Sequence, residues 1–100
     1  MASDAWKKHE RAVAKRLGGQ RAGPTGKTGS DVLHPAFAIE AKERKSVPKY
    51  LEDFLDQAER SARPEQLPIV VLHKLGKRHD NDIVLIRLRH FEDWYGGTES

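Results

Sequence analysis

The sequence of 100 residues contains no cysteine, which excludes disulfide bonds, thiolate zinc sites and thiol nucleophiles. It has no apolar run close to the roughly 20 residues that a membrane-spanning helix needs, and its first residues lack the apolar core of a signal peptide. We therefore expect a cytoplasmic protein without a membrane partner. A chain of this length can bury one modest core, so we expect a single domain over residues 1–100, frayed at 1–3 and 96–100.

The net charge is only +3, but the positive residues are distributed unevenly. The first 28 residues carry seven Lys and Arg against two acidic residues, and residues 67–79 carry three against none. A surface of this kind can follow a phosphate backbone. The same distribution is also typical of a solvated helix face and a basic turn, so the charge alone leaves both interpretations open.

Hydrophobic periodicity and turn residues divide the chain into elements in the order α-β-β-α-β-β-α. The expected elements are, in chain order, a helix at 4–17 that ends at a glycine pair, a mobile glycine-rich loop at 18–29, strands at 30–33 and 36–42, a helix at 46–62, strands at 69–72 and 83–88, and a helix at 90–95. The continuous apolar run Ile69–Leu72 is typical of a strand that is covered on both faces. We therefore expect an α/β fold in which helices flank a small, mixed four-stranded sheet.

Glu10 interrupts the apolar face of the first helix. It is spaced by three or four residues from Trp6, Val13 and Leu17, so all four side chains share one face. A carboxylate in an apolar stripe is costly unless a partner satisfies it. A metal, a lysine or a substrate-facing cleft would do so, and so would a route to solvent or an arginine.

Acidic and basic side chains also meet on the two strands expected after the loop. Alternation along the second strand places Glu40 and Lys42 on one face, and pairing with residues 30–33 can place Asp31 beside Glu40. Two carboxylates this close repel each other unless a cation lies between them, and hard oxygen ligands suit Mg²⁺ or Mn²⁺. The alternatives are an exposed strand face with an internal Glu–Lys pair and a turn aspartate.

Gln57 lies on the same face of the second helix as Tyr50 and Phe54, at spacings of three and seven residues. From this face it can look inward over the sheet. An ordinary glutamine at the edge of an apolar face has the same spacing, so the position alone does not decide its role.

In their order and spacing, five of these residues resemble the motif of the PD-(D/E)XK nuclease superfamily. The five are Glu10, Asp31, Glu40, Lys42 and Gln57. Within the superfamily, the sequence is most similar to the small Holliday junction resolvases of archaeal and phage type. The resemblance covers roughly residues 4–73 and includes the segments Thr28–Val32 and Ala38–Lys42, although Ser30 stands where the family usually has proline.

The resemblance implies a restriction-endonuclease-like fold and hydrolysis of DNA phosphodiester bonds with Mg²⁺, or with Mn²⁺ in its place. It implies that Asp31, Glu40 and the Ala41 carbonyl bind the metal, and that Lys42 assists the attacking water. Glu10 would complete the metal shell, and Gln57 would position the lysine or the scissile phosphate. The residues implied to contact DNA are Lys7, Lys8, Arg11, Lys15, Arg21, Lys27, Thr28, Ser30 and Lys45.

The resemblance also implies a two-fold homodimer that acts on four-way junctions or other branched DNA, in a prokaryotic or viral setting. The aromatic residues Phe91, Trp94 and Tyr95 are candidates for the dimer surface, or for a capping core with Phe91 and Trp94 packed inward. Three alternatives to a resolvase remain open. They are another nuclease of this superfamily with VRR-NUC-like, flap or nicking activity, a non-catalytic DNA-binding module of the same fold, and a small basic interaction domain.

The histidines show no spacing that is typical of a zinc site. We expect each of them to have a neutral role on the surface or in a turn, rather than to bind a metal. The five are His9, His34, His73, His79 and His90.

Overall fold

The computed structural model describes residues 5–22 and 31–95. Within them the chain is a small α/β protein with three α-helices and two antiparallel sheets of two strands each. Two compact units are present, one formed by residues up to Lys45 and the other by Ser46–Tyr95. The fraying expected at 1–3 and 96–100 concerns residues outside the described ranges.

The first unit consists of a helix packed on a small antiparallel sheet. Helix α1 (Ala5–Leu17) is followed by strand β1 (Gln20–Arg21), which pairs with strand β2 (Val32–Leu33) so that Arg21 lies opposite Val32. Ile39 continues the sheet through an isolated antiparallel bridge to Val32. The buried apolar residues of this unit are Ala14, Leu17, Val32 and Ala41.

Helix α1 ends in a turn that requires glycine. Gly18 has a φ of 79°, a left-handed conformation that costs little only without a Cβ. The Gly19 N–H donates a hydrogen bond of 2.8 Å to the Ala14 carbonyl, as in a Schellman motif. The expected helix end at this glycine pair is confirmed, and the turn directs the chain back along the helix as β1.

Gly19 also allows β1 and β2 to approach closely. A Cβ at this position would collide with the Leu33 carbonyl oxygen and lie 2.9 Å from Val32 Cγ1. Since the first of these atoms is backbone, the β1–β2 pair would have to open. We expect Gly19→Ala to destabilise the protein by about 2 kcal/mol, measured by urea unfolding followed by circular dichroism. An unchanged unfolding midpoint would show that the strands do not approach this closely.

The second unit combines two helices with a hairpin. Helix α2 (Lys49–Ser61) begins directly after Pro48, whose fixed φ favours the start of a helix. The helix packs on strand β3 (Val70–Leu72). Strand β3 pairs antiparallel with strand β4 (Ile83–Leu85). Helix α3 (Leu88–Tyr95) follows β4.

The Glu59 carboxylate connects α2 with α3 by accepting hydrogen bonds from two side chains of α3. Its Oε2 accepts hydrogen bonds from Arg89 Nη2 at 2.7 Å and from His90 Nε2 at 2.8 Å. Arg87 Nε lies 3.2 Å from the same oxygen, without a hydrogen bond to it. The hydrogen bond from His90, together with the positive charges of Arg89 and Arg87, lowers the pKa of Glu59 below its usual value.

This lowered pKa makes the second unit sensitive to acid. The folded state then binds fewer protons than the unfolded state, so the stabilisation is present above the usual glutamate pKa and is lost as the pH falls through the folded value. We expect Glu59→Gln to lower the thermal midpoint at pH 7 and to flatten its decline between pH 6 and 3, measured by circular dichroism. An equally steep decline in the variant would contradict this.

The strands differ from the sequence prediction in number and pairing. The described strands form two separate two-stranded antiparallel sheets, instead of one mixed sheet of four strands. Each strand pairs with a near neighbour in the chain, and the expected strand 36–42 pairs only at Ile39. Residues Gln20–Arg21, expected in a loop, instead form β1.

Several apolar side chains of the second unit are less covered than the sequence predicts. Ile69 is 44% exposed and Val71 55%, so covering on both faces is wrong for this strand. Trp94 is 68% exposed, so its expected inward packing is also wrong. Phe91 is half-buried and stacks on Tyr95, with ring centroids 5.9 Å apart. None of the helices within 5–22 and 31–95 is long and apolar enough to cross a membrane.

Candidate active site

Glu10 is buried in the first unit and pairs with Arg21. The Arg21 Nε donates a hydrogen bond of 2.8 Å to Glu10 Oε1, and the guanidinium lies 5.3 Å from the centre of the Trp6 ring. Arg21 reaches the helix because the chain turns back at Gly18 and β1 then runs beside α1. The pair is therefore held between α1 and β1.

An arginine partner is one of the alternatives that the sequence leaves open for Glu10. The ion pair satisfies the buried carboxylate without a metal. The same ion pair occupies the Arg21 side chain, to which the resemblance gives a DNA-binding role. The metal-binding role of Glu10 and the DNA-binding role of Arg21 remain predictions.

Asp31 lies against the backbone of the Glu40-Ala41-Lys42 triplet. Its Oδ2 accepts a hydrogen bond of 2.7 Å from the Ala41 N–H, and its own N–H donates 2.9 Å to the Ile39 carbonyl. No described residue bonds to the second carboxylate oxygen of Asp31. The structure thus brings the aspartate and the triplet together at one point of the sheet.

Burial separates the two faces of this segment. Val32 is fully buried and Ala41 is 8% exposed, so their face packs toward the core. Asp31 is only partly buried and Glu40 is exposed. Lys42 Nζ lies 3.7 Å from Glu40 Oε1, with the two side chains 67% and 54% exposed. As alternation along the strand predicts, the glutamate and the lysine lie together on the outer face.

Three basic residues of α1 lie on the side of the helix opposite the buried stripe. Lys8, Arg11 and Lys15 recur at intervals of three and four residues and are exposed. None of the three forms an ion pair with another described residue. Lys7 lies over the Trp6 ring, with its Nζ 5.6 Å from the ring centre. This face of α1 presents unpaired positive charge to solvent.

The remaining predicted site residues are scattered in the chain. Lys45 is exposed at the end of the first unit. Gln57 belongs to the second unit, where it is exposed on α2. Lys27, Thr28 and Ser30, which the resemblance assigns to phosphate contacts, lie outside the described residues.

The second unit contains a cluster that the sequence analysis did not find. His73 Nδ1 lies 2.6 Å from Asp82 Oδ1, and His79 Nδ1 lies 3.0 Å from Asp82 Oδ2. The hydrogen bonds from His79 and His73 lower the pKa of Asp82. The sequence signal was only a histidine pair and an aspartate in the basic turn between two apolar runs, which matches no standard zinc spacing.

No protein-family model matches the sequence, and comparisons with curated proteins and with solved structures find no significant match.

Proposed function

We propose that the protein is a metal-dependent endonuclease that hydrolyses phosphodiester bonds in branched DNA, and specifically a Holliday junction resolvase. The observation that carries the proposal is the 2.7 Å hydrogen bond from the Ala41 N–H to the Asp31 carboxylate. It joins the aspartate to the middle residue of the Glu40-Ala41-Lys42 triplet, and these four residues are the core of the motif that the sequence resembles.

The strand register supports the same grouping. The antiparallel bridge pairs Val32 with Ile39, and one further step in this register sets Asp31 opposite Glu40. Directly opposite residues in an antiparallel pair project from the same face. Since Val32 and Ala41 face the core, Asp31, Glu40 and Lys42 share the outer face in this arrangement.

The residues present fit a hard divalent cation. Asp31 offers a carboxylate oxygen that no described residue bonds, Glu40 is exposed, and Ala41 supplies a backbone carbonyl between Glu40 and Lys42. Oxygen atoms of these kinds are the ligands that Mg²⁺ and Mn²⁺ prefer. A bound Mg²⁺ would neutralise the scissile phosphate and lower the pKa of an attacking water.

Lys42 would act on the attacking water and on the phosphate. Its exposed ammonium group, beside Glu40, can donate a hydrogen bond to the water and stabilise negative charge that develops on the phosphate. The water would lose a proton to solvent, its oxygen would attack phosphorus in line, and the bond to the 3′ oxygen would break. That oxygen would take up a proton from solvent, which leaves 5′-phosphate and 3′-hydroxyl ends.

The exposed basic face of α1 supports DNA as the substrate. Lys8, Arg11 and Lys15 have no partners among the described residues, so they are available for phosphate contacts. Such contacts give affinity that falls with salt, rather than sequence readout. In this arrangement Glu10 and Arg21 brace α1 against the sheet that carries Asp31.

The proposal includes the two-fold homodimer that the resemblance implies. A dimer would supply two active sites, one for each of the symmetric strands of a four-way junction. Trp94 is exposed on α3, and it is the candidate for this interface with the largest exposed ring.

The experiment that tests the function offers labelled four-way junctions, flaps, nicked duplex and linear duplex to the full chain, with Mg²⁺ and with EDTA. We expect Mg²⁺-dependent, paired and symmetric cuts near the branch point of the four-way junction. Cuts confined to flaps or nicks would favour another nuclease of the superfamily. Binding to DNA without cutting would favour a non-catalytic module and contradict the proposal.

A further inference from the structure

The hairpin of the second unit brings three potential metal ligands together at its turn. His73 directly follows β3 and Asp82 directly precedes β4, and the pairing of Leu72 with Ile83 continues toward these two residues. His79 begins the 3₁₀ turn His79–Asn81, in which its carbonyl accepts the Asp82 N–H at 2.9 Å. The backbone of the turn therefore holds the cluster in place.

The side chains of the cluster converge on a single carboxylate. The two imidazole rings stack with centroids 4.2 Å apart, and each directs its Nδ1 to a different oxygen of Asp82. One ligand atom from each of the three residues lies within 4.8 Å of the others. Among residues 5–22 and 31–95, this is the one group of three such residues with that spacing.

We propose that His73, His79 and Asp82 form a binding site for a zinc-type divalent metal ion. Two imidazole nitrogens and one carboxylate oxygen are ligands that suit Zn²⁺ and Co²⁺ and not Mg²⁺. On binding, each Nδ1 would coordinate the metal in place of its hydrogen bond to Asp82, and the proton of each neutral imidazole ring would move to Nε2. The site closes the turn of the β3–β4 hairpin.

The cluster needs only a small adjustment to hold such an ion. Ligands bonded tetrahedrally to Zn²⁺ at about 2.0–2.1 Å lie about 3.3 Å apart, and one ligand atom from each of the three residues already lies within 4.8 Å of the others. The His79 side chain is 82% exposed, so it can shift without disturbing a core. Three protein ligands leave the fourth position of the metal open to an exogenous ligand.

The surroundings indicate what would fill the fourth position. Lys74, Lys77 and Arg78 line the same cavity as His73 and Asp82. The positive charges of these three side chains repel a metal cation, so binding depends on direct coordination by the imidazole nitrogens. The same charges favour an anionic oxygen as the fourth ligand. This site lies in the second unit, and it does not depend on the function proposed for Asp31 and Glu40.

Metal binding by the full chain tests the inference. We expect calorimetric titration with ZnCl₂ to show one equivalent bound, and Co²⁺ to develop visible bands of a tetrahedral site. His79→Gln and Asp82→Asn should each weaken binding by at least about tenfold. Asp80→Asn is the matched control, since Asp80 lies in the same turn and its side chain is 84% exposed.

Two results would overturn the inference. The first is the absence of saturable Zn²⁺ binding by the parent chain. The second is binding that His79→Gln and Asp82→Asn do not weaken, in variants whose circular dichroism matches the parent. In either case the cluster is not a metal site, and its hydrogen bonds only stabilise the hairpin.

Discussion

Replacing Asp31 by Asn, or Glu40 by Gln, is expected to reduce Mg²⁺-dependent DNA cleavage roughly a thousandfold, because several kcal/mol of transition-state stabilisation are lost with the metal. Both substitutions keep the size of the side chain and remove one negative charge. An asparagine at position 31 retains an oxygen that can accept the Ala41 N–H, so the local backbone contact can survive. The measurement is the single-turnover rate on a four-way junction.

The matched control for this experiment is Glu43→Gln. Glu43 is exposed, lies three residues after Glu40, and has no place in the proposed metal site. We expect this variant to cut at the parent rate, and all three variants to bind the junction with similar affinity. If Asp31→Asn cuts as fast as the parent, the assigned active site is wrong.

The second large effect concerns stability, through the buried pair of Glu10 and Arg21. Arg21→Met leaves the Glu10 carboxylate buried without its partner and removes the cation from the Trp6 ring. We expect a loss of about 3 kcal/mol in the free energy of unfolding, since breaking one side of a buried ion pair is strongly destabilising. Urea unfolding followed by circular dichroism measures it.

A double variant separates this explanation from a simple loss of packing. Glu10→Met combined with Arg21→Met removes both charges, so we expect it to be more stable than Arg21→Met alone. Arg11→Met, at an exposed position of the same helix, should change stability little. A double variant that is less stable than Arg21→Met would contradict the account of a buried charge.

Local signals in the sequence were sufficient to predict the helices. Gly18 and Gly19 predicted the end of α1 through their backbone geometry, and the helix expected at 46–62 is present as α2 over Lys49–Ser61. The grouping of Glu40 with Lys42 followed from the two-residue period of an extended chain. These features depend on near neighbours, which the sequence shows directly.

Features that depend on long-range pairing could not be predicted in this way. The sequence could not identify Arg21 as the partner of Glu10, because it does not show that β1 folds back and brings Arg21 to α1. The cluster of His73, His79 and Asp82 was missed because the register of the β3–β4 hairpin, and not a regular spacing, brings it together. The two separate sheets were not predicted either, because the sequence does not show which strands pair with each other.

In the proposed active site, Asp31 and Glu40 hold one divalent cation together. Titration of Mn²⁺ into the chain, followed by electron paramagnetic resonance, tests it most directly, in a His79→Gln background that removes the hairpin cluster as a competitor. We expect one Mn²⁺ site that is displaced by Mg²⁺ and lost on either Asp31→Asn or Glu40→Gln. Mn²⁺ binding that neither substitution changes would contradict it.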